Sequence, residues 1–220
     1  MFCKLNKDRS VEADLLLAIA KEIVYQEKNG CLPLIQRGNI DWSRFKADAK
    51  TIYSAGIHRS YLNRFHDIGS GEEDASTFEN KKYVFGVSAA AALYNRAALE
   101  EIKQNGEYFD EDFFYFFEDV DISWRLQRKG WRILYTPKAE CYHGGGRSRN
   151  KDKISQYYCF RNRYLLLLKN ESPLGLVKLI FVFLFYDLWR NLFMLVVNPR
   201  YLLKGAWEVM RLAPKMLSKR

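Results

Sequence analysis

The sequence predicts an α/β domain over residues 1–150, followed by a basic helical region over residues 151–220. Three observations predict this. Short β-rich runs alternate with helical periodicity in the first part. From about residue 155 onward the segments become long, apolar and helical. The charge divides at the same place: residues 1–150 hold 22 Lys/Arg and 22 Asp/Glu, whereas residues 151–220 hold 13 and 4, which is the whole net charge of +9. With 220 residues, 48% hydrophobic and 28% charged, the composition is that of a folded chain and excludes global disorder. A neutral domain with a basic tail argues against a uniformly basic nucleic-acid binder.

The elements follow in order. Residues 1–5 read as a short strand ending in the polar run 6–10. Residues 11–28 show helical spacing, with Leu15, Leu16, Ile19, Ile23 and Val24 on one side, and Asn29-Gly30 stops them. Residues 31–35 are a strand, 37–49 a polar connection, and 51–57 another strand. Residues 58–79 read as a loop, because Gly, Asp, Glu and Ser dominate and apolar anchors are few. A strand at 83–85 leads into the small-residue run 86–94, which fits either a strand or a close-packed turn. A helix over 96–104 ends at Asn105-Gly106, and a helix over 118–129 ends at Gly130. Residues 131–135 form a β-rich strand, and Pro137 opens a loop reaching His143 and three glycines.

The tail is most apolar over residues 174–197, but Lys178, Asp187, Arg190 and Asn191 interrupt it. A membrane span needs about 20 residues with few charges. Asp187, Arg190 and Asn191 fall within one helical arc, so the favoured reading is an amphipathic helix at a membrane interface. A helical subdomain packed on the α/β domain is the alternative. Cys3, Cys31, Cys141 and Cys159 are scattered without zinc-like pairing, and residues 1–6 show no secretory leader, so a reducing, cytosolic setting is expected.

Chemistry concentrates at residues 113–125, where five aromatics precede Glu118, Asp119 and Asp121. An apolar flank raises a carboxylate's proton affinity toward the range useful for a general base. If a helix opens at Glu118, Asp121 lies in its first turn, beside the positive end of the dipole, and pairs with Arg125 at i, i+4. Asp119 or Glu118 is then left to face a cleft; an acidic helix start without chemistry fits the local pattern equally well. His143 beside three glycines is a second candidate, although a lone histidine is more often structural. Asn6-Lys7-Asp8 after an apolar strand is a third, at a position where α/β sheets bind ligands.

Taken together, Asn6-Lys7-Asp8, Phe85-Gly86-Val87-Ser88-Ala89, Phe109-Asp110-Glu111 with Glu118-Asp119-Val120-Asp121, Trp124-Arg125 and His143 resemble the family 2 glycosyltransferases. Within that family the chain is most similar to the rhamnosyltransferase-like enzymes of bacterial surface polysaccharide synthesis. The likeness runs over nearly the whole sequence and includes Arg161-Asn162 in the tail. It implies part of a GT-A fold and inverting transfer of a sugar to a glycan or lipid-linked acceptor from a nucleotide-diphosphate sugar donor. Asp119 would be the catalytic base and Glu118 its partner. Asp8 and His143 would hold a divalent metal, Mg2+ or Mn2+, with Asn6 on the donor side. Gly86, Ser88 and Trp124 would line the acceptor side.

The family's acidic metal motif follows several strands and helices that grip the nucleotide, whereas here it begins at residue 6. The expectation is therefore a chain truncated at its amino terminus, or one whose missing half comes from another chain; homo-oligomerisation is left open. Work at the inner face of the cell membrane is expected. A catalytically inactive, membrane-associated glycan-binding module that has lost donor binding is the second reading. Nucleic-acid binding is disfavoured, because the tail's cations are interleaved with aliphatic residues.

Overall fold

Strand order and burial in the central sheet follow from one short segment that is apolar on both faces. The computed structural model describes residues 31–34, 52–73, 78–80, 82–89, 92–137 and 151–220. They fall into two compact units, the first drawn from residues 1–58, 65–101 and 126–145, the second from 59–64, 102–125 and 146–220.

In the first unit, β1 (Cys31–Leu34), β4 (Lys82–Val84) and β5 (Arg132–Tyr135) form a mixed sheet of order β1-β5-β4. β5 lies parallel to β1, with Cys31 opposite Arg132, and antiparallel to β4, with Tyr83 opposite Leu134. Ile133, Leu134 and Tyr135 are all buried, as a central strand covered on both faces requires. The Tyr135 hydroxyl donates to the Phe78 carbonyl at 2.9 Å, so the ring is buried without stranding its polar end. On β4, Arg132 lies over the exposed Tyr83 ring at 3.4 Å, a cross-strand contact that shields the sheet's edge. Helix α1 (Arg96–Ile102) buries Ala98 and Ile102 and is opened by Asn95, whose side chain accepts from the Ala97 amide at 2.8 Å.

The expected strand at 51–57 and loop at 58–79 are corrected here. The strand is β2 (Ile57–Arg59), paired in a two-stranded sheet with β3 (Phe65–Asp67) inside the stretch expected to be irregular. Backbone bonds extend the hairpin: the Ala55 amide donates to Ile68 O and the Ile52 amide to Glu72 O, both at 2.8 Å. Glycines make this possible. At Gly56, with φ +104°, a Cβ would sit 2.8 Å from Val84, and at Gly69, with φ +74°, 2.8 Å from the Phe78 ring. A glycine-rich composition therefore marked close packing of a hairpin, not absence of structure.

The second unit holds the start of α2 (Glu118–Arg128), a 3-10 turn at Glu111–Phe113 and the helices of the tail. These are α3 (Lys151–Asn170), α4 (Pro173–Val182), α5 (Leu188–Val197) and α6 (Pro199–Ser218), with a π turn, Phe183–Asp187, joining α4 to α5. Ser172 caps α4 by accepting from the Gly175 amide at 2.9 Å, and Pro173 takes the first position, where no donor is needed. Helix α3 packs on α6. A Cβ on Gly205 would lie 2.8 Å from the Phe160 ring, and Arg161 Nε donates to Glu208 Oε2 at 2.5 Å. Leu165, Leu166 and Leu167 on α3 and Met216 on α6 are buried. Among the described residues no single helix is long and apolar enough to cross a membrane; Pro173–Phe185 and Leu188–Val197 form a pair bent by 53°.

Candidate functional site

The acid-bearing segment is built from a strained backbone held in place by α3. Asp110 opens the 3-10 turn, its carboxylate accepting from the Asp112 amide at 3.0 Å, and Phe113 is completely buried. The next residues turn left-handed: Phe114 has φ 58°, Phe116 64° and Phe117 70°. Such conformations cost a non-glycine residue of the order of 1 kcal/mol each, so surrounding contacts must hold them. Asn162, itself fully buried, does so. The two hydrogens of its Nδ2 are shared among the carbonyls of Phe113, Tyr115 and Phe116, at 2.8, 2.7 and 2.9 Å. Arg161 completes the clamp, donating to Asp112 O at 2.8 Å and to Asn162 Oδ1 at 2.5 Å.

We expect Asn162→Ala to destabilise the protein by about 2–4 kcal/mol in urea unfolding, because it removes a buried donor to three carbonyls and leaves the strained backbone without support. A loss below about 1 kcal/mol would show that the segment keeps its shape without the clamp.

The clamped segment delivers three carboxylates to the first turn of α2, and they divide into two kinds. Asp121 is completely buried and fully engaged. Its Oδ2 accepts from Arg125 Nε at 2.9 Å and Lys169 Nζ at 2.8 Å, and its Oδ1 from Asn170 Nδ2 at 2.7 Å. The i, i+4 pairing expected of Asp121 and Arg125 is therefore present, as part of a larger network. Arg125 also donates to the carbonyls of Ile102 and Tyr108, both at 2.6 Å. Lys169 bridges to Asp110 at 2.8 Å, and Lys219 reaches the other oxygen of Asp110 at 2.6 Å. Burial disfavours the charge on Asp110, but the hydrogen bonds from Lys169 and Lys219 outweigh it and hold the carboxyl at about 2.

Glu118 and Asp119 are different. Both are half-buried; Asp119 Oδ1 accepts from the neighbouring Val120 amide at 2.8 Å. Glu118 Oε2 is buried with no hydrogen-bond partner among the described residues. In a low-dielectric site an unpartnered carboxylate oxygen is costly, and such groups concentrate where a ligand or substrate supplies the missing donor. The exposed rings before them, Phe114 and Tyr115, contact Tyr158 of α3 at 5.6 and 6.0 Å between centroids.

The other residues singled out in the sequence are dispersed. Gly86 and Ser88 belong to the first unit; Gly86 is buried and exchanges backbone hydrogen bonds with Ile57 at 2.7 and 3.2 Å, and Ser88 is half-buried. Trp124 lies on α2 but is only 5% exposed, with the Arg59 guanidinium 3.8 Å over its ring. That places it in the packing of the helix rather than on open surface. Asn6, Asp8 and His143 lie outside the described residues. Among the described residues no group of three or more His, Cys, Asp or Glu is arranged to hold a metal ion.

Sequence reasoning reached Asp110 and Arg161-Asn162 only through family likeness and did not single out Lys169 or Asn170. A signal was present. Arg161-Asn162 and Lys169-Asn170 flank a run of four leucines, and Asn162 and Lys169, seven residues apart, share one face of α3.

Part of the chain resembles a rhamnosyltransferase. The N-acetylglucosaminyl-diphospho-decaprenol L-rhamnosyltransferase of Mycobacterium tuberculosis, in two strains, is 31% identical over 87 residues. The match covers 39% of this chain and 27% of that enzyme, a narrower likeness than the motifs suggest. No protein-family model matches the chain. No solved structure matches it.

Proposed function

We propose that this chain acts as a glycosyltransferase of the family 2 type. It would transfer a sugar, with rhamnose the leading choice, from a nucleotide-diphosphate sugar to a hydroxyl of a glycan or lipid-linked acceptor at the inner face of the cell membrane. The observation that carries the reading is the clamped aromatic segment, which spends about 1 kcal/mol per left-handed residue to set Glu118 and Asp119 at the start of α2. Partial likeness to a rhamnosyltransferase supports it.

In this reading Asp119 takes the proton from the acceptor hydroxyl as its oxygen bonds to the anomeric carbon. The bond from that carbon to the diphosphate breaks on the opposite face, and a single displacement inverts configuration. Glu118, whose Oε2 lacks a donor, orients the hydroxyl. Gly86 and Ser88 would contribute to the acceptor side, Asn6 to the donor side, and Asp8 and His143 to a magnesium or manganese ion. Such an ion offsets charge on a leaving diphosphate.

The test incubates the chain with a nucleotide-diphosphate rhamnose and a prenyl-diphosphate-linked N-acetylglucosamine. The expected result is an inverted rhamnoside that forms with added manganese and disappears with chelator. Absence of both donor binding and transfer would replace the enzyme by a glycan-binding module.

A further inference from the structure

Helices α4 and α5 carry their polarity the wrong way round for a water-facing surface. In the π turn and in α5, Asp187 and Asn191 are turned toward α3. Asp187 is 3% exposed and accepts from Arg163 of α3 at 2.6 Å, and Asn191 donates to the Tyr164 hydroxyl, also on α3, at 3.0 Å. No residue of α4 or α5 is buried. Phe181, Phe185, Trp189, Phe193 and Val196 expose 61%, 78%, 66%, 65% and 82% of their surface. A soluble amphipathic helix does the reverse, and apolar exposure on this scale marks an interaction face.

Charge identifies the occupant. Residues 172–220 contain eight Lys/Arg and two acids, Asp187 and Glu208. Both acids are taken, by Arg163 and by Arg161. Exposed Lys178 on α4 and Arg200 just beyond α5 have no acidic partner among the described residues. Apolar side chains between unpaired cations match an anionic lipid surface, whereas a second copy of the same face would bring like charges together.

Geometry sets the depth. The two arms, Pro173–Phe185 and Leu188–Val197, are bent by 53°. At 1.5 Å per residue they extend about 20 and 15 Å, against a hydrocarbon core of about 30 Å. We propose that the bent α4–α5 pair is a monotopic membrane insert, seated in one leaflet of an anionic bilayer and anchored to α3 through Arg163–Asp187 and Tyr164–Asn191. The proposal stands on this face alone and does not depend on sugar transfer.

Flotation of the full chain with lipid vesicles tests it. The wild type should float with phosphatidylcholine vesicles and more strongly with phosphatidylglycerol vesicles. The triple variant Phe185→Ser, Trp189→Ser, Phe193→Ser should bind both at least about tenfold more weakly, since each change removes a large apolar group from lipid. Lys178→Glu with Arg200→Glu should lose about tenfold or more on phosphatidylglycerol while binding phosphatidylcholine as before. If the triple variant fails to fold by circular dichroism, the charge variant carries the test. Wild-type protein that stays at the bottom of the gradient would overturn the proposal. So would a dimer, broken by the triple variant, that binds no vesicles.

Discussion

Replacement of Lys169 by alanine is expected to destabilise the protein by about 3–5 kcal/mol, the cost of removing one member of a buried ionic network. The ammonium group is 1% exposed and donates to Asp110 and Asp121, both at 2.8 Å. Without it each carboxylate keeps part of its support: Asp121 retains Arg125 and Asn170, and Asp110 retains Lys219. Each carboxylate loses a buried charge-assisted hydrogen bond that no water replaces, and the removed stem leaves a void beside Phe113, whose ring lies 5.6 Å from the ammonium. Lys169→Met separates the two effects by restoring volume without charge.

The same network sets an acid dependence. Asp110 titrates at about 2 in the folded protein against an ordinary 3.8, so the unfolded chain takes up the proton first. The stability this contributes, roughly 2 kcal/mol, is complete above pH 3.8 and lost as pH falls through about 2. In Lys169→Ala the carboxyl should move back toward its ordinary value and that acid step should shrink. Urea midpoints measured from pH 6 to pH 2 on both proteins check this; identical pH slopes would remove Lys169 from its role at Asp110.

The second large effect concerns turnover. Asp119→Asn is expected to reduce sugar transfer by about 10²–10⁴-fold while leaving the melting temperature close to that of the wild type. Asparagine keeps the oxygen that accepts from the Val120 amide, so the start of α2 stays formed, but it takes no proton at neutral pH. Asp121→Asn provides the contrast. It would face Lys169 and Arg125 with a neutral amide, and the loss should appear in stability before it appears in turnover. Turnover by Asp119→Asn within a few-fold of the wild type would exclude Asp119 as the base, whatever the fate of the family reading.

Local pattern carried much of the first unit. β1, β4 and β5 lie within a residue or two of the expected strands, because each is short, β-rich and bounded by polar or turn residues. Helices α1 and α2 start at the expected residues, 96 and 118, where Asn95 caps the first and acids fill the opening turn of the second. The hairpin β2–β3 was missed for a physical reason: its pairing is backbone-made and depends on Gly56 and Gly69 fitting against Val84 and Phe78, which are distant in sequence. In the tail, composition identified long apolar helices but not the π turn that breaks them or the direction their polar residues face.

By itself, then, the sequence determined the α/β class, the basic helical tail and the concentration of acids after five aromatics, since these depend on residue order and on neighbours three or four positions apart. Only the tertiary structure decided how deeply each acid is buried and what it is bonded to. Local pattern paired Asp121 with Arg125; Lys169, 48 residues away, and Asn170 commit it to the interior, and Asn162 holds the segment that leaves Glu118 and Asp119 half-buried at the helix start. The free energy that separates these roles comes from desolvation and long-range hydrogen bonds, which no local periodicity encodes.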